Sequence, residues 1–248
     1  MVRTGEIEHG RKIAHDAERV WNWSSPAGQR RARRRASLIA IAARLGPDDD
    51  VLELGCGTGL FSESFAATGC RLTAIDVAPA LLEIANSRRN AIHAPKPRNQ
   101  ITFRLDDAES MSFHDASFDA VVGSSVLHHL NIDAALNEIR RVLRSGGRVA
   151  FAEPNMINPQ IALQRSIPAL GEWAGESPEE TAFVRWRLVG QLKQAGFRSV
   201  RVQPFDFLHP TTPRPLIGLV RGMGRAMERL PLVREIAGSL LISAETSS

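Results

Sequence analysis

Three glycines in five residues, Gly55-Cys56-Gly57-Thr58-Gly59, follow the apolar run Val51-Leu-Glu-Leu54 and precede a segment of helical character from Leu60. Glycine lets a chain turn sharply and approach a ligand closely. The helix start behind such a turn offers free N–H groups and a positive dipole end. Dinucleotide enzymes use a related turn, but their spacing is G-x-G-x-x-G. Glu53 stands two residues before the first glycine. Asp76 closes the next apolar run, about twenty residues on, where a carboxylate can accept hydrogen bonds from both ribose hydroxyls. It fits equally as the N-cap of a helix at Ala80, and Val77 follows it. A third run, Ile101 to Leu105, leads into Asp106-Asp107-Ala108-Glu109. A fourth, Phe118 to Val122, leads into Gly123-Ser124-Ser-Val-Leu-His128-His129-Leu130. Histidine titrates near neutrality and can take a proton from a hydroxyl or an amine. His15 and Glu153 are further candidates for that task.

In this order, the four segments resemble the class I S-adenosylmethionine-dependent methyltransferases over about residues 50 to 155. The resemblance implies S-adenosylmethionine as cofactor and S-adenosylhomocysteine as product. It implies contacts from Glu53, Gly55, Cys56, Gly57 and Gly59, from Asp76 to the ribose, and from Val77 against the adenine. Asp107 would accept from the adenine amino group, with Asp106 as a competing acid, and the N–H of Ala108 would donate to a ring nitrogen. Gly123 and Ser124 would face the methionine part. His128 and His129 are the catalytic candidates, although relatives carry a similar Leu-His-His-Leu in which at least one His is structural. Some quinone-ring relatives hold a metal here with carboxylates; Ser125 and His128 stand at those positions, so no metal is expected. Residues from His15 to Gly28, with Trp21 and Trp23, are loosely similar to the lid of quinone and small-molecule methyltransferases, and Glu153 falls on the acceptor side.

The elements that must hold these residues alternate between strand and helix, which implies βαβ units and a parallel sheet. The fold class expected is α/β: a Rossmann-like, doubly wound, seven-stranded, mostly parallel sheet whose last strand is antiparallel. A helical lid over 1–47 precedes a cofactor-binding core over 48–155. The rest, 156–248, completes one domain with acceptor-side insertions. Ser24-Ser25-Pro26 marks a break, Leu38 to Leu45 recur at helical spacing until Gly46-Pro47 stops that helix, and Ser145-Gly-Gly147 caps a helix over Asp133 to Arg144. Ala94 to Pro97 is a loop, Ser177-Pro-Glu-Glu180 starts a helix running to Gln194, and Ser239 to Ala244 is the final strand. Leu216, Val220, Met223, Met227 and Leu230 recur at helical spacing before it, as a packing helix, an apolar acceptor pocket or a membrane-touching surface.

Composition sets the limits. The 248 residues are 43% apolar and 23% charged, enough for a large core and against global disorder. The net charge of +4 owes much to Arg30-Arg-Ala-Arg-Arg-Arg35, a solvated helix face or a phosphate-binding patch. No Tyr and 6% aromatics weigh against single-stranded nucleic acid, which uses stacking platforms. Gly123-Ser-Ser-Val126 also replaces the Asn/Asp-Pro-Pro-aromatic motif of base methyltransferases. No apolar stretch suits a membrane span and no secretory signal opens the chain. Cys56 and Cys70 read as reduced thiols of a cytoplasmic protein. The function expected is methyl transfer to an O, N or C nucleophile of a small, partly apolar acceptor, a secondary metabolite or quinone-like ring. The alternatives are a cofactor-binding protein with other chemistry, or an RNA or protein methyltransferase.

Overall fold

A computed structural model describes residues 4–91, 101–166 and 183–247. The chain opens with α1 (Thr4–Ile13), a short 3-10 turn, α2 (Ala17–Val20) and α3 (Pro26–Ala42). Then β1 (Asp50–Leu54), α4 (Ser62–Ala66), β2 (Arg71–Asp76), α5 (Pro79–Ala91), β3 (Ile101–Leu105), β4 (Phe118–Ser124), α6 (Ile132–Val142) and β5 (Leu143–Pro154) alternate. After α7 (Pro159–Ser166) come α8 (Arg185–Gln194), β6 (Arg198–Phe205), α9 (Ile217–Met227) and β7 (Ser239–Glu245). The seven strands lie in the order β3-β2-β1-β4-β5-β7-β6. β1 to β5 pair in parallel, and β7 runs antiparallel to both its neighbours. The expected fold class is therefore the observed one.

Adjacent residues of a strand face opposite sides, and both sides are buried. Leu52, Leu54 and Val121 pack with Leu136 and Ile139 of α6 and Leu188 and Leu192 of α8. Val51, Leu72 and Val122 pack with Ala32, Ala36 and Ile39 of α3 and Phe65 of α4. Strand order reverses direction between β1 and β4. Ligands of such sheets bind beyond the strand ends at that point.

Some boundaries differ from expectation. α3 ends at Ala42, where Arg44 takes a left-handed turn (φ 52°) ahead of Gly46-Pro47. Ser145-Gly-Gly147 caps no helix. α6 stops at Val142, and Leu143 is already extended and paired with Phe118. Gly146 (φ 70°) falls inside the irregular opening of β5. The cause is Arg144, whose guanidinium reaches Asp119 and Asp50 on two neighbouring strands. The loop at Ala94 to Pro97 and the residues at Ser177 lie outside the described residues, but the expected helix does not run unbroken to Gln194: Phe183 bridges to Asn155, Val184 is extended, and α8 begins only at Arg185. The stripe of α9 is split: Val220 packs on Ala27, Leu208 and Ile217, while Leu216, Met223 and Leu230 are exposed.

Candidate active site

The floor of the site is the glycine turn. Gly55, Gly57 and Gly59 all have positive φ (62°, 52° and 77°), which disfavours any side chain there. A Cβ on Gly55 would lie 2.5 Å from Val126 Cγ2, and one on Gly57 would lie 3.1 Å from Trp21. Asp76 is aimed by two backbone donors. Its Oδ2 accepts from Gly57 N–H at 2.8 Å and its Oδ1 from Ala78 N–H at 2.9 Å. It thus serves the start of α5 and the turn together, with lone pairs left toward the cleft. Burial raises its pKa above the ordinary carboxylate value.

Gly59 and Glu53 sit behind this floor. A Cβ on Gly59 would meet Phe103 at 3.0 Å and Ala85 at 3.2 Å, so this glycine serves the packing of α5 on β3. Glu53 is buried, and its Oε2 accepts from Ser62 Oγ at 2.5 Å. Burial pushes its pKa up to about 8, against the lowering effect of Ser62. Such a group stabilises the fold fully below its ordinary value, and that stability is lost as pH rises toward 8. Glu53→Gln therefore flattens the pH dependence of the ligand-free protein. Denaturant titrations at about pH 5 and about pH 8 should show the wild type losing on the order of 4 kcal/mol more than the variant.

A cleft of about 700 Å³ opens over this floor. Gly55, Cys56, Gly57, Asp76, Val77, Ala108 and Ser124 line it. Gly123 lies beneath, where a Cβ would be 2.8 Å from Val126 and 2.9 Å from Phe151. Of the two neighbouring acids, Asp106 rather than Asp107 lines the cleft. Asp107 closes its own turn instead, accepting from Glu109 N–H at 2.9 Å. Asp106 is engaged by Ser112 Oγ at 2.6 Å.

The N-terminal elements form the roof. Ser25 caps α3, its Oγ accepting from Gly28 N–H at 2.9 Å. Trp21 lies on the glycine turn, and Trp23 meets Phe61 edge-on at 5.6 Å. Glu18 joins Thr58 at 3.0 Å and Arg88 of α5. His129 Nδ1 lies 3.3 Å from Glu6 of α1. His15 is exposed and does not line the cleft, because its short 3-10 turn points it to solvent; the expected acceptor contact is not made. Trp21→Ala should weaken cofactor binding about ten-fold, read by calorimetry, through loss of aromatic cover over the turn.

His128 and Arg35 line the same cleft. His128 lines the cleft, and its Nδ1 lies 2.6 Å from Glu153 Oε2. Glu153 Oε1 accepts from Val126 and Leu127 N–H at 3.0 Å each. Burial raises the Glu153 pKa, but His128 and these two donors outweigh it and hold the carboxyl below its ordinary value. Expected on the acceptor side, Glu153 is wholly buried and off the cleft; it orients His128.

Arg35 escaped the sequence reading, which gave the arginine run to solvent or to phosphate. α3 turns much of that run inward. Arg31 pairs with Asp206 at 2.7 Å and Arg34 with both oxygens of Glu228 at 2.8 and 2.6 Å. Arg35 is 3% exposed and lines the cleft. Its Nη1 donates to Ser125 Oγ at 2.8 Å, with Ser124 Oγ and the Ala152 carbonyl at 3.3 Å, and its Nη2 donates to Ser239 Oγ. Its Nε has no partner, and no carboxylate pairs with it among the described residues. Burial and then Arg31 pull its pKa down to about 10. Two non-glycine residues beside it, Ser125 (φ 57°) and Asp206 (φ 75°), hold left-handed conformations, the strain that gathers at binding sites. A buried cation without a counter-ion is costly unless a ligand supplies one. The spacing Gly28, Ala32, Arg35, Ile39 on the buried side of α3 was the available signal.

The arrangement matches a known family. A family model described as "Methyltransferase domain" covers residues 52–151. The chain is 33% identical over 155 residues to a ubiquinone biosynthesis O-methyltransferase of Xanthomonas axonopodis pv. citri (strain 306), covering 61% of this chain and 63% of that one. It is 32% identical over 191 residues to a demethylmenaquinone methyltransferase of Tropheryma whipplei (strain Twist), covering 70% and 76%. The match thus spans under two thirds of the ubiquinone-biosynthesis relatives. A SAM-dependent methyltransferase from Thermotoga maritima, described as a possible histamine N-methyltransferase, has the same fold at a TM-score of 0.66 and 17% identity, covering 97% of this chain and 99% of that one. Glycine turn, the acid that ends β2, strand order and these relatives agree: the chain belongs to the class I S-adenosylmethionine-dependent methyltransferases.

Proposed function

We propose that this cleft transfers a methyl group from S-adenosylmethionine to an O, N or C nucleophile of a small, partly apolar acceptor, a quinone-like ring or secondary metabolite. The bound cofactor supplies an electrophilic sulfonium methyl; the protein supplies alignment and water exclusion. The observation that carries the reading is the continuity of the cleft. Backbone N–H groups of the glycine turn, Asp76, His128 and Arg35 line one cleft together with the apolar side chains of Trp23, Ile161, Phe207 and Leu208.

In this reading Asp76 accepts from the ribose hydroxyls, Val77 and Ala108 enclose the adenine, and Ser124 faces the amino-acid part. Arg35 receives the cofactor carboxylate, which completes its missing counter-ion. His128 takes the acceptor proton, held in orientation by Glu153. Quinone-pathway relatives support an aromatic acceptor, and free Cys56 and Cys70 fit a cytoplasmic setting.

Purified protein with S-adenosylmethionine and a catechol or demethylated quinol should yield S-adenosylhomocysteine and the methylated ring. Acceptor turnover without S-adenosylhomocysteine would overturn methyl transfer in favour of other cofactor-dependent chemistry. Methylation of bulk RNA or protein with no small acceptor used would overturn the acceptor class.

A further inference from the structure

Leu216, Leu219, Met223 and Leu230 share one side of α9 and its flanking turns. That side faces solvent, with Leu219 62%, Met223 56% and Leu230 53% exposed. The helix is anchored elsewhere. Ile217 is buried, and Gly224 rests so closely on Phe207 that a Cβ would lie 3.1 Å from Phe207 Cβ. Beyond Pro231, Leu232 (88% exposed) and Ile236 extend the apolar surface.

Arg221, Arg225 and Arg229 recur every fourth residue on another side of the helix, with Arg214 before it. Among the described residues, none of the four has a carboxylate partner. The nearby acids are already engaged, Glu228 by Arg34 and Glu235 by Arg185 and Arg234. A solvent-facing leucine and methionine strip is a liability unless something covers it. Uncompensated arginines on the polar side, with apolar side chains on the other, match helices that lie in the membrane interface. They also specify the charge of the partner, because each arginine near an anionic bilayer adds attraction.

We propose that α9 and the turn after it dock this protein on the surface of an anionic lipid bilayer, apolar side down. Among the described residues no helix is long and apolar enough to cross a membrane, so the contact is peripheral. Phe207, on which Gly224 rests, lines the cleft with Leu208 and His209. Docking therefore brings the part of the cleft lined by Phe207 close to a lipid phase. The proposal does not depend on methyl transfer, and its test reads binding rather than turnover.

The test is cosedimentation of the full chain with vesicles of phosphatidylcholine, alone or with about a third phosphatidylglycerol. The mixed vesicles should bind about ten-fold or more tightly than the neutral ones, and added salt should weaken that binding. Leu219→Ser with Met223→Ser should lower binding to mixed vesicles about ten-fold or more. Arg225→Glu with Arg229→Glu should abolish the preference for anionic lipid. Both double variants should melt like the wild type and still bind S-adenosylmethionine, since the four side chains are exposed. Failure of the wild type to bind mixed vesicles, or unchanged binding by both variants, overturns the proposal. So does a wild-type dimer, seen by light scattering, that Leu219→Ser with Met223→Ser disperses while no vesicle binding occurs; the strip would then join two copies of this chain.

Discussion

His128→Ala lowers kcat by about two to four orders of magnitude, the usual effect of removing a positioned general base. The Kd for S-adenosylmethionine, measured by calorimetry, stays within about three-fold, because a group acting only in the transition state contributes little to ground-state binding. The loss should depend on the acceptor. A ring whose hydroxyl is already ionised at the assay pH needs no proton acceptor and loses far less. Glu153→Gln separates positioning from chemistry. Its side chain can still accept from Val126 and Leu127, but the negative charge 2.6 Å from His128 Nδ1 is gone. Loss of that charge disfavours the imidazolium. The acid limb of the kcat profile should then move to lower pH, with KM for the acceptor little changed. An unmoved limb with an intact fold would show that Glu153 serves the Val126–His128 turn alone.

Arg35→Met should weaken S-adenosylmethionine binding by about thirty-fold to several thousand-fold, the range for removing one partner of a buried charge pair. The same substitution should leave the ligand-free protein as stable or more stable. It replaces a buried guanidinium that has no carboxylate partner with an apolar chain of similar length. These opposite signs separate a binding role from a structural one. A scaffolding arginine would cost stability when lost and leave affinity nearly unchanged. Arg35→Lys should recover only part of the affinity, because a point charge cannot reproduce the planar contacts to Ser125 and Ser239. Thermal melts with and without the cofactor read both effects.

The cofactor end of the cleft was legible because its determinants are local. A glycine turn between a strand and a helix, and an acid ending the next strand, carry their geometry in a few consecutive residues. Gly55, Gly57, Asp76, Val77 and Ala108 consequently line the cleft. The slip from Asp107 to Asp106 shows the limit of such reading. Which of two adjacent acids faces the cleft depends on a turn closed by Glu109 and on Ser112, not on residue type.

Sequence alone thus determined the fold class, because hydrophobic periodicity acts over short spans, and the cofactor family through the resemblance carried by four motifs in order. Tertiary structure alone decided the rest of the cleft. Arg35 meets Ser125 and Ser239 across 90 and 204 residues of chain, and Glu153 reaches His128 across 25. The arginine run looked like a solvated face until Asp206 and Glu228, far along the chain, drew Arg31 and Arg34 inward. His15 and Glu153, plausible acceptor contacts by type, were removed from that role by exposure and by complete burial respectively. The helix before the last strand was visible as an element, but not the direction of its apolar side. That direction follows from where Ile217 packs with Ala27 and Leu208 and Gly224 rests on Phe207, contacts the helix's own residues do not encode.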